Sequence, residues 1–171
     1  MPRALRWLAA VALALAVAGC GFRMQGATAL PEGLDQVFVA TKDELSPFAV
    51  ELRRSIDGAG ARVADNAGEA DVVVRITQDR TGRRVLSVSS RNTPQEYQIF
   101  YSVEFSVERG TEQVVAPQPI ELTRAISFSE SDVLAKDREE RILRDAMARD
   151  LADLVLRRLE SLPAAQSDPS R

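Results

Sequence analysis

Between residues 97 and 107 the chain alternates without a break. Tyr97, Ile99, Tyr101, Val103, Phe105 and Val107 are apolar, and Gln98, Ser102, Glu104 and Ser106 fall between them, with Phe100 the one aromatic on the polar side. Successive side chains of a strand point to opposite faces, so this spacing builds a ribbon with one oily and one wet side. Such a ribbon needs antiparallel neighbours and a layer that covers its oily face. The neighbours follow from the same pattern. Val72, Val74 and Ile76 share a face, and residues 85–89 continue extended beyond an interruption at Thr81-Gly82. Arg109-Gly110-Thr111 marks a turn. A further strand runs through Ile120, Leu122, Ile126 and Phe128, its beginning pushed to an edge or a bulge by Pro117 and Pro119.

The covering layer is supplied by two helices. Ser46 is placed as an N-cap and Pro47 at the first helical position, where its missing N–H costs nothing. Leu45, Ala49, Leu52, Ile56 and Ala59 follow at intervals of three and four on one face, and Gly58-Ala59-Gly60 reads as the stop. A short strand at 36–40 precedes this helix, and residues 62–64 add a little extended chain after it. Ser131 or Asp132 caps the second helix, which carries Ile142, Leu143, Ala146, Met147, Leu151, Leu154, Val155 and Leu159 in a broad apolar stripe. Glu140–Arg144 and Asp145–Arg149, at four-residue spacing, belong to its solvated face. The expected fold is α+β: about four mainly antiparallel strands with two helices packed on one face of the sheet. It occupies residues 35–162 as a single domain, with 163–171 as a disordered tail.

The N-terminal segment is of another kind. Arg3 and Arg6 give it a positive start, residues 7–17 form an uncharged apolar stretch, and Val17-Ala18-Gly19-Cys20 closes it with small residues ahead of the cysteine. The apolar run is eleven residues long. That is too short to span a bilayer, which needs roughly 20, and it fits a cleaved leader over 1–19. Cys20 is the only cysteine in the chain and is placed as the lipidation site, first residue of a mature lipoprotein, with 20–34 as the lipidated tether. Covalent acyl chains on Cys20 anchor it to a membrane, each buried methylene contributing about 0.8 kcal/mol. Gly21 follows the cysteine where inner-membrane lipoproteins carry aspartate, so the expected address is the outer membrane.

Composition narrows what the domain can do. Loss of Arg3 and Arg6 with the leader leaves 20 basic against 25 acidic side chains, which gives no support to nucleic-acid binding. Histidine is absent and no second cysteine exists, so imidazole or thiolate metal sites, Ser-His-Asp triads, Cys-His pairs and disulfides are all excluded. No phosphate-binding glycine motif occurs. Neither lysine, Lys42 or Lys136, sits in an S-x-x-K spacing. Catalysis and dissociable cofactors are therefore not expected, and the domain acts by contact.

One cluster stands out against the acidic whole. Arg75, Arg80, Arg83, Arg84 and Arg91 fall within seventeen residues, opposed there by Asp79 alone. Guanidinium pairs with phosphate through two parallel hydrogen bonds, so the cluster suits a phosphorylated ligand. Ordinary strand-surface arginine is the competing reading for each. Arg91 is the foremost candidate, because Arg91-Asn92-Thr93-Pro94 is turn chemistry that presents the side chain at a hairpin tip. Lys136 stands near the wrong end of a helix dipole.

Three blocks carry a resemblance. C-G-F-R-M-Q-G at 20–26, R-N-x-x-x-E-Y-Q at 91–98 and L-A-K-D at 134–137 resemble, in order and spacing, the LPS-assembly lipoprotein family LptE. At the hairpin the chain departs from that pattern, Thr93-Pro94-Gln95 replacing a glycine-containing turn one residue longer. The resemblance implies an outer-membrane lipoprotein that plugs an LptD-like LPS-transport β-barrel, helps it assemble, and contacts lipopolysaccharide. It also implies that Arg91 and Lys136 are lipopolysaccharide-contact residues, with Arg83 and Arg84 as further candidates. A second reading remains open: a free-standing periplasmic-side adaptor that binds another envelope protein or a cell-wall component through its sheet edge.

Overall fold

The structure, a computed structural model, describes residues 30–31, 33–127 and 133–163, with backbone alone for 133–135. Its elements run β1 (Gln36–Ala40), α1 (Pro47–Gly58), β2 (Arg62–Val63), β3 (Val72–Val88), β4 (Pro94–Arg109), β5 (Glu112–Ser127) and α2 (Val133–Glu160). The five strands form one sheet in the order β2-β1-β3-β4-β5. β1 pairs parallel with β2 and β3, and the long β3–β4 and β4–β5 ladders are antiparallel. The α+β architecture with helices packed on the sheet is as expected, with one strand more than the four anticipated. The leader, Cys20, the caps at Ser131 and Asp132, Phe128, and residues 164–171 lie outside the described residues.

Local chemistry accounts for α1 in full. A helix leaves its first amides without internal partners, and here each has an answer. Pro47 has no N–H; the Phe48 N–H donates to the Tyr101 hydroxyl at 3.2 Å; Ala49 donates to Ser46 Oγ at 3.1 Å; Val50 donates to the Ser46 carbonyl. At the other end Gly60 adopts φ +88°. The Gly60 N–H then reaches the Asp57 carbonyl and the Ala61 N–H reaches that of Ile56, a Schellman stop. Phe48, Ala49, Leu52 and Ile56 form the buried face. Leu45, expected on that face, is 87% exposed. It precedes the cap, where the Asp43 carboxylate and carbonyl accept from the Leu45 and Ser46 N–H groups and turn the chain before the helical path begins.

From Ile99 on, the alternation is kept, with Ile99, Tyr101, Val103, Phe105 and Val107 buried; Tyr97 is partly buried, and Ser106, expected on the wet side, is buried as well. Those five apolar residues meet α1 and the C-terminal half of α2 in one core with Leu34, Val37, Val39, Val72, Val74 and Ile76. Two expectations are corrected. Thr81-Gly82 does not interrupt β3, because Gly82 pairs with Phe100; a Cβ there would stand 2.7 Å from the Phe100 ring, so glycine is what lets the ring lie across the strand. The α2 stripe holds at Met147, Leu151, Val155 and Leu159, with Leu143 and Leu154 packed against the core, but Ala148 and Ala152 join it and Ile142 is left 60% exposed. Pro117 and Pro119 sit in edge strand β5 next to a register irregularity at residues 105–107 of β4, where a missing N–H is tolerated.

β1 accompanies β3 only from Val72 to Arg75. Beyond that point β3, β4 and β5 continue as a three-stranded tip. The contact of Glu140 with Arg83, which pairs with Ile99 in the tip, and that of the Pro163 carbonyl with Arg109 at the base run α2 from the tip end toward the base of the sheet. Its first turns therefore stand at the tip end.

Candidate functional site

The tip is closed by a five-residue connection that is hydrogen-bonded throughout. The Ser89 N–H donates to the Thr93 carbonyl at 2.8 Å and the Asn92 N–H donates to the Ser89 carbonyl at 2.9 Å. Ser89 Oγ accepts from both the Arg91 and Thr93 N–H groups at 3.2 Å. Asn92 takes φ 60°, a left-handed conformation that asparagine tolerates better than most residues. The Arg-Asn-Thr-Pro stretch thus does form the hairpin tip. Arg91 is exposed there on an ordered backbone, and its guanidinium has no ion-pair partner among the described residues.

The other arginines are placed differently. Arg75 holds Glu108 through two bonds of 2.9 and 2.8 Å; this contact keeps the Glu108 carboxyl below the usual carboxylate range. Arg83 turns toward the helices, 5.2 Å over the Tyr97 ring and 3.5 Å from Glu140. Arg84, its neighbour, points to the opposite face, 4.3 Å over the Phe100 ring and 3.4 Å from Glu121. Strand alternation separates them, so Arg83, Arg84 and Arg91 do not converge on one point.

Lys136 lies in the first turn of α2, its side chain only 20% exposed and its Nζ 2.9 Å from Glu139 Oε2. That carboxylate offsets the unfavourable position of the ammonium at the helix N-terminus. Glu140, expected on a solvated face, is 8% exposed and is shared by Arg83 and Arg144. The reason is tertiary: α2 crosses the tip at this turn, bringing a β3 arginine onto a helix carboxylate. The spacing in the sequence pairs Glu140 with Arg144, as found, but nothing in it pairs Glu140 or Tyr97 with Arg83, or Phe100 with Arg84.

The arrangement leaves Arg91 open at the tip, with α2 latched beside it by Glu140. The family model described as LptE, lipopolysaccharide-assembly, matches residues 34–159, which includes every candidate except Cys20. The chain belongs to the LptE family. Over 158 residues it is 26% identical to the LPS-assembly lipoprotein LptE of Pectobacterium atrosepticum, covering 92% of this chain and 85% of that one. Among solved structures, lipoprotein B of Nitrosomonas europaea is similar with a TM-score of 0.71 and 26% identity, over 82% of this chain and 91% of the other. The rare lipoprotein B of Shewanella oneidensis is similar with a TM-score of 0.65 and 27% identity, over 74% and 94%. The tip and α2 thus belong to an LptE-family domain.

Proposed function

We propose that this LptE-family chain is an outer-membrane lipoprotein, acylated at Cys20, that plugs an LptD-like LPS-transport β-barrel. It acts as that barrel's assembly partner and contacts lipopolysaccharide on its way to the outer leaflet. The observation that carries the reading is the exposed Arg91, without an ion-pair partner among the described residues, on a hydrogen-bonded hairpin tip in a chain of this family. A guanidinium held in that way meets phosphate with two hydrogen bonds at little entropic cost. Lys136, at the same end of the molecule, adds a second cation once its side chain leaves Glu139. Arg83 and Arg84 act differently from Arg91: each is engaged with a carboxylate and an aromatic ring, so they shape the tip and contribute to its field. The domain acts by contact, without catalysis. Its only covalent equipment is the anchor, which keeps it at the membrane where the barrel resides.

Mild detergent extraction of the outer membrane followed by affinity capture of the lipoprotein is expected to recover one large barrel protein; recovery of the lipoprotein alone under several mild detergents overturns the plug role. In the same preparation Arg91→Glu with Lys136→Glu is expected to lower lipopolysaccharide binding at least tenfold while leaving the melting temperature unchanged. Unaltered binding removes the phosphate assignment.

A further inference from the structure

A strand with no neighbour on one side leaves a row of amides and carbonyls open to pairing. β1 accompanies β3 only as far as Arg75, so from Ile76 to Val88 the β1 side of β3 has no strand partner among the described residues. Irregularities break the register with β4 between Ile76 and Gln78 and again after Val85, but between them Gln78 to Val85 run through eight consecutive pairs. That is a regular edge of about 26 Å, at roughly 3.3 Å per residue. β5 also has an open outer edge, yet Pro117 and Pro119 cut it short. Beyond those prolines its charged side chains, Glu121 and Arg124, already hold Arg84 and Asp150.

The edge of β3 is not satisfied in that way. Where β1 turns away toward α1 there is a cleft of about 250 Å³, lined by Thr41, Lys42 and Asp43 on one side and residues 76–80 of β3 on the other. Asp79 pairs with the buried Val103 and so lies on the helix-covered face, whereas Arg80 pairs with Ser102 and lies on the opposite one. Asp79 Oδ2 is buried without a hydrogen-bond partner among the described residues, and Arg80 is exposed without an ion-pair partner there. Lys42 and Arg80 against Asp43 and Asp79 leave the cleft with no net charge, so neither a lone cation nor a lone anion is favoured. A polypeptide strand answers both needs, because its consecutive side chains go to opposite faces. We propose that an extended segment of the barrel partner adds to residues 78–85 of β3, with a hydrogen-bond donor such as lysine opposite Asp79 and, next to it in sequence, a carboxylate opposite Arg80. Its main chain supplies affinity and the two side chains fix the register. This rests on the plug role proposed above and deepens it by naming the surface through which plug and barrel join.

The test compares the native complex of lipoprotein and barrel, purified in mild detergent, with the free full-length lipoprotein by amide hydrogen exchange resolved residue by residue. In the complex, those amides of residues 78–85 that face away from β4 are expected to slow at least tenfold, in an every-second-residue pattern, while the outer amides of residues 120–127 in β5 slow less. Arg80→Glu is expected to weaken retention of the barrel roughly fivefold, because like charges then stand opposed across the new ladder. The melting temperature of the free lipoprotein should not change, since Arg80 holds no ion-pair partner there. Unchanged exchange over 78–85 in an intact complex overturns the strand addition and leaves the plug role standing. Slowing of equal size on both edges does the same, being what burial in a lumen without pairing produces. Retention unaffected by Arg80→Glu overturns the carboxylate assignment. Failure to recover any complex removes the plug role and the strand addition with it.

Discussion

Tyr101→Phe removes a buried hydroxyl on which two elements depend. The ring is 1% exposed in the middle of β4, and its hydroxyl accepts the N–H of Phe48, itself fully buried in the first turn of α1. Phenylalanine fills the same volume, so no cavity opens. What is lost is the one acceptor available to that amide, since the remaining first-turn donors already have Ser46 Oγ and the Ser46 carbonyl. An orphaned buried amide costs about 1–3 kcal/mol, and at 3.2 Å this bond lies toward the weak end, giving ~1–2 kcal/mol. For a domain of this size that is a fall in Tm of about 4–8 °C. A second signature follows from ionisation. Burial, helped by the charge of Asp79, holds the Tyr101 hydroxyl well above its ordinary value of 10.0. The unfolded tyrosine therefore releases its proton first as pH rises. The stability this group contributes is complete below pH 10 and declines toward the folded-state value, by about 1.4 kcal/mol per pH unit. Urea unfolding of wild type and variant from pH 8 to 11.5 measures both effects: the variant should be weaker at pH 8, and the gap should close as pH climbs past 10. A gap below 0.5 kcal/mol at pH 8 (roughly the scatter of neutral surface changes), or one independent of pH, refutes the reasoning.

Glu140→Ala removes the carboxylate shared by Arg83 and Arg144. Because those guanidinium groups are 52 and 34% exposed and can reach water, the cost is ~1–2 kcal/mol, below that of a fully buried pair. Hydrogen exchange should quicken in residues 136–144 before it does in 147–159; uniform change along α2 would contradict the latch. Gly60→Ala should cost ~1 kcal/mol in chemical denaturation, since φ is +88° while nothing stands within 4 Å of the added methyl; an unaltered midpoint would show that the Schellman stop contributes nothing.

Period-two alternation in residues 97–107, the Ser46-Pro47 cap and the Gly58-Ala59-Gly60 stop are local signals, and each is where the sequence places it. Rules of side-chain direction, donor supply and positive φ act within a few residues, so they can be read without knowing the fold. The hairpin tip at Arg91 is legible for the same reason. The fates of the other arginines are not. Arg75, Arg84 and Arg83 find Glu108, Glu121 and Glu140 at separations of 33, 37 and 57 residues, distances across which no spacing rule operates. A cluster that looks like one basic patch in the sequence is divided by the sheet between two faces and largely neutralised. The burial of Ala148 and Ala152 in α2 has the same origin, since a small side chain lets the helix lie close to its neighbours, and Ile142, two positions past Glu140, faces away from the sheet tip that Glu140 meets. By itself the sequence determined the two helices and the long strands, the absence of histidine and of a second cysteine, and Arg91 as the tip cation. Only the tertiary structure decided that Arg91 has no ion-pair partner among the described residues, that Lys136 is mostly covered, and that Val85, Leu86 and Val88 are half exposed. Those outcomes depend on which surfaces the packed layers leave uncovered.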